Sequence, residues 1–105
     1  MTKSTHDYIR DICHGYHERQ REIEIGDKGR PKRALMLAEY MRLNSAVDAA
    51  LLIIEDAPLR NQIRQSLIRG TGFEAVFAPI CGRNQFYFYK RCAVAEIARL
   101  LHLCE

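Results

Sequence analysis

The densest group of chemistry-bearing side chains lies in the run Ile80-Cys81-Gly82-Arg83-Asn84-Gln85-Phe86-Tyr87-Phe88-Tyr89-Lys90-Arg91. Arg, Asn and Gln read base edges through paired hydrogen bonds, whereas Lys and Arg further along a helix anchor on phosphates. On a helix starting near Gly82, Phe86 and Tyr89 face the core. Arg83, Tyr87 and Arg91 then align at i, i+4 and i+8 on the opposite side, flanked by Asn84 and Lys90. A helix that opens on Arg-Asn-Gln without an acid, after a short element and a turn bracketed by Pro79 and Gly82, fits the recognition helix of a helix-turn-helix. The plainer alternative is the solvated face that any amphipathic terminal helix carries.

A second basic cluster, Lys28, Arg30, Lys32 and Arg33, stands at the start of another expected helix. Cations there oppose the helix dipole, so stability alone does not place them. An anionic partner would account for them, and a basic loop serving only solubility accounts for them equally well. The overall formal charge of +3 hides an uneven split. Residues 1–56 carry 9 basic and 10 acidic side chains, and residues 57–105 carry 7 and 3.

Cys13-His14-Gly15-Tyr16-His17 is the third group. Cys13 and His17 share a helix face at i, i+4 and would be half of a zinc site that Cys81 or His102 could complete. A packed cysteine beside solvated histidines is the favoured reading, so no metal and no cofactor are expected. Nor is catalysis expected. There is no phosphate loop, GxSxG, HExxH or paired-carboxylate motif, and Cys13 beside His14 or His17 lacks an orienting third group.

The elements that must position these residues follow from periodicity. Tyr8, Ile9, Ile12, Cys13, Tyr16 and Ile23 recur at helical steps, which predicts a first helix from Thr5 to Glu24 capped by Ser4 or Thr5. Gly26 to Arg30 is a loop, and Pro31 opens a second helix. That helix carries Leu37, Met41, Val47, Leu51 and Ile54, and either runs on to Glu55 or pauses at Asn44-Ser45. Ala57 before Pro58 marks a boundary. A third helix carries Leu59, Ile63 and Leu67 and closes at a left-handed Gly70. Residues 71–80 are a short helical or extended piece. The last helix runs from Arg83 to about Leu103, with Phe86, Tyr89, Ala93, Ile97, Leu100 and Cys104 as its buried stripe.

The expected fold class is therefore all-α, a compact array of four to five helices with a helix-turn-helix-like C-terminal part. A length of 105 residues suits one helical domain, with an N-terminal helical pair over 1–56 and a basic part over 57–105. A hydrophobic share of 48% with 28% charged residues excludes disordered and collagen-like classes. The longest apolar run, Ala49 to Ile54, is far too short to span a membrane, and no signal-like stretch follows Met1. Four scattered cysteines without a CxxC pair fit free thiols, and a cytoplasmic protein is expected. A homodimer burying Ala46, Ala49 and Ala50 is a further reading, although packing against the first helix explains these alanines as well.

The stretch Gly82-Arg83-Asn84-Gln85-Phe86-Tyr87-Phe88-Tyr89-Lys90-Arg91, with the apolar helix Ala93 to Leu101 after it, resembles the C-terminal end of small phage and prophage regulators of Firmicutes. These late-transcription regulators carry a Gly-Arg-x-x-Phe-Tyr-x-x-(Arg/Lys)-(Arg/Lys) run, and the likeness covers roughly residues 56–103. It implies DNA as the partner, read by Arg83, Asn84, Tyr87, Lys90 and Arg91. In size and all-α character the chain also resembles phage anti-CRISPR proteins that inhibit Cas9. That likeness implies a Cas9-type nucleoprotein as the partner instead.

Overall fold

Thr2 opens the first helix. Its hydroxyl accepts from the Thr5 amide at 3.1 Å, so α1 (Lys3–His14) starts ahead of the expected Ser4 or Thr5 cap. The structure, a computed structural model, describes residues 1–103. The single helix expected to reach Glu24 is two, because Gly15 separates α1 from α2 (Tyr16–Ile25). The reason is space. A Cβ on Gly15 would lie 2.6 Å from an Arg19 terminal nitrogen. Glycine lets the buried Arg19 fold back, donating to the Ile12 carbonyl and, at 2.7 Å, to Asn44 Oδ1. The Ile12 carbonyl is among those that the end of α1 leaves without a helical partner.

Asn44 explains why α3 (Pro31–Leu51) runs through Asn44-Ser45 unbroken. Its side chain is committed to α2, donating to the Tyr16 carbonyl at 3.2 Å and to Gln20 Oε1 at 3.3 Å, and does not cap a new segment. Arg64 and Asp48 add a second tie at 2.7 Å, with the Tyr16 hydroxyl donating to the same carboxylate at 2.9 Å. The helix stops at Leu51, short of Glu55. Asp56 caps α4 (Ala57–Arg69) by accepting from the Leu59 amide at 3.0 Å, so Ala57 is already helical and Pro58 sits in the first turn. Gly70 is left-handed at φ 69°, as its position predicts.

Residues Phe73–Ala75 form one 3-10 turn, and α5 spans Arg83–Leu100, three residues short of the expected end. Cys104 lies outside the described residues. The connection between α4 and α5 thus covers residues 70–82, longer than the three- or four-residue turn of a tight helix-turn-helix. Among the described residues all regular structure is helical.

One apolar cluster draws on every helix. It joins Ile9 and Ile12 of α1, Tyr16 of α2, Val47 and Leu51 of α3, Ile63 of α4, and Phe86, Ala93 and Ile97 of α5. The expected α5 stripe is buried at those three positions, with Tyr89 and Leu100 half-covered beside them. Each large side chain so buried contributes roughly 1.5–3 kcal/mol. Ala46 and Ala50 are in this core, whereas Ala49 is exposed, so close packing within the chain accounts for two of the three alanines. The cluster takes α3 only from Ala46 onward, with Leu43 against its edge. The first half of α3 and the outer part of α2 therefore form a two-helix arm, which helps stretch the molecule to 48 × 32 × 21 Å.

Candidate nucleic-acid interface

The polar face of α5 does not enter the core, yet much of it is occupied. The Tyr87 hydroxyl accepts from the Phe73 amide at 3.0 Å. Lys90 Nζ donates to the Thr71 carbonyl at 3.2 Å. Arg83 pairs with Glu74, whose 3-10 turn folds back over the helix start. Both cations lie near the Tyr87 ring, Arg83 at 5.7 Å and Lys90 at 5.9 Å from its centroid. Tyr87 is consequently a bracket for residues 71–73 as well as a surface group. Lys90 is half-buried, and burial lowers its ammonium from the ordinary lysine value.

Arg91 and Asn84 remain exposed, and Arg91 has no acidic partner among the described residues. Tyr87, Lys90 and Arg91 line a shallow groove with His6 and Val94, so the start of α1 forms its other wall. Arg10, one turn further along α1, is held by Asp7 at 3.4 Å. The structure brings together Tyr87, Lys90 and Arg91 of the expected residues, with Arg83 beside Tyr87. His6 was not expected there. His6 and Arg10 share a face at i, i+4, but nothing local in the sequence says that this face meets α5.

Lys28, Arg30, Lys32 and Arg33 lie on and just after the loop between α2 and α3, and none lines the groove. Arg33 is used structurally, donating to the Gly26 carbonyl at 2.7 Å and pairing with Glu22 at 2.6 Å. Lys28, Arg30 and Lys32 are exposed and without an acidic partner among the described residues. Lys28 at φ 53° and Gly29 at φ 74° turn the chain there, helped by Asp27 accepting from the Gly29 amide at 2.8 Å.

The cysteine–histidine group takes no site geometry. Cys13 is buried, and burial pushes its thiol up to about 11, so it is protonated at neutral pH. Among the described residues no three His, Cys, Asp or Glu side chains gather closely enough to hold a metal ion. Among the described residues no helix is long and apolar enough to cross a membrane. No protein-family model matches the chain, and searches of curated proteins and of solved structures return no match.

Proposed function

We propose that this chain is a non-enzymatic, phage-type regulatory protein that binds nucleic acid, DNA first, through the exposed start of α5. The supporting observation is that Tyr87, Lys90 and Arg91 of α5 line a groove walled by α1, with Arg83 beside the Tyr87 ring. Asn84 and Arg83 occupy the first turn, where a recognition helix touches base edges. Arg91 is placed for a phosphate. Lys28 and Arg30 on the α2–α3 loop, and Lys32 in the first turn of α3, would supply further phosphate contacts. A protonated, buried Cys13 speaks against covalent catalysis.

A second reading, direct docking on a Cas9-type nucleoprotein, has its own support in Phe77. That side chain is 94% exposed on a loop pinned by Gln62, which donates to the Ala78 carbonyl at 3.1 Å and accepts from the Ile80 amide at 3.2 Å. An exposed aromatic on a fixed loop suits a protein partner. Pull-down from a Cas9-containing bacterial lysate, with and without nuclease treatment, separates the readings. Nucleic acid recovered in the untreated arm alone supports the regulator. Cas9 recovered in both arms, and absent with Phe77→Ser, supports the inhibitor and overturns the regulator.

A further inference from the structure

Behind the α5 groove, between α1, α4 and α5, lies a half-open cavity of about 310 Å³ that shares His6, Lys90 and Val94 with the groove. That volume is at the lower end of small-molecule pockets. Its floor is apolar, formed by Ile9, Leu67 and Val94. Lys90 is on the same lining, with its ammonium on the Thr71 carbonyl, and His6 and His14 stand beside it. Asp7 and Arg10 are both on this lining and pair with each other at 3.4 Å.

Lys90 is what makes the cavity more than a packing gap. An ammonium has three protons to donate, and the protein takes one, at the Thr71 carbonyl. The Ser66 hydroxyl donates to that same carbonyl at 2.5 Å, so Lys90 holds a shared acceptor. No carboxylate pairs with Lys90 among the described residues. A half-buried cation without a counter-ion is costly, and burial accordingly lowers the proton affinity of this one. A bound anion would relieve that cost, and an apolar body attached to it would cover Val94 and touch the edges of the core side chains Ile9 and Leu67.

From this arrangement we infer that the cavity is a binding site for a small monocarboxylate with an apolar tail, its head on Lys90 and its tail against α1, α4 and Val94. The site stands on the cavity alone and needs no nucleic acid. Methyl NMR of the full chain, titrated with hexanoate in the absence of nucleic acid, tests it. Saturable shifts at Ile9, Leu67 and Val94 are expected, at least tenfold weaker with hexanol and with the Lys90→Met variant. Because Lys90 also holds Thr71, a second variant, Val94→Phe, fills the cavity while keeping the ammonium. It should abolish the hexanoate shifts with the remaining spectrum preserved. Equal binding of hexanol and hexanoate, equal binding by wild type and Val94→Phe, or no saturable shifts would each overturn the site. Inorganic phosphate matching hexanoate would also overturn it, since the tail would then contribute nothing.

Discussion

Cys13 is where residue type and residue behaviour part. The sequence offers a cysteine beside two histidines, a pairing that can make a nucleophile or a metal ligand. Whether it does depends on burial, which spacing along one helix does not reveal. In the structure the thiol is buried, at the edge of the α1–α4–α5 cavity, and pushed up to about 11, an effect Arg19 and Lys90 only partly offset. The folded thiol keeps its proton where an unfolded one, near 9.0, loses it. Its contribution to stability is therefore complete below pH 9 and is lost as pH rises towards 11. That shift is worth about 2–3 kcal/mol. Lys90 acts with the opposite sign in the same alkaline range: its burial cost is present at neutral pH and lifts as pH approaches the ordinary 10.5. The comparison of slopes isolates the thiol. Urea unfolding of Cys13→Ala should show stability falling less steeply between pH 9 and 11 than in wild type, whatever the offset at pH 7. Parallel curves would contradict the burial.

At the scale of elements, α5 is legible in the sequence and its surroundings are not. Steps of three and four from Phe86 to Ile97 define the buried stripe, and that stripe is what the core receives. Helix propensity alone does not reveal the break at Gly15. The deciding contact is Arg19 reaching Asn44 across 25 positions. Occupation of the polar face by residues 71–74 is equally invisible, since it needs a 3-10 turn that returns Glu74 to Arg83. This return contact sets a testable consequence. Glu74 neutralises the arginine proposed to read a base edge, and the pair is exposed, so it contributes little to the fold. Glu74→Gln should leave unfolding within about 0.5 kcal/mol of wild type. It should also tighten duplex binding several-fold in an anisotropy titration. Unchanged affinity would remove Arg83 from the interface.

For the whole molecule, the two basic clusters of the sequence lie on different elements. One is the α5 groove. The other is the tip of the α2–α3 arm, with Lys28 and Arg30 on its loop and Lys32 at the start of α3, near an exposed Leu35. Charge along the sequence marks both clusters but does not show that Arg33 is tied down, nor that the clusters lie on different parts of the molecule. Removing one phosphate-binding cation should flatten the salt dependence of binding by about one unit of slope, which makes the two surfaces separable by experiment. The measurement that bears most directly on the central claim is the slope of log K against log salt for a labelled duplex. It is compared among wild type, Arg91→Gln and the loop triple variant Lys28→Gln/Arg30→Gln/Lys32→Gln. With α5 as the principal contact, Arg91→Gln weakens binding and lowers the slope by about one, and Asn84→Ala added to it relaxes sequence preference at one position. A slope and affinity indifferent to Arg91→Gln, with binding abolished only in the loop triple variant, would contradict it.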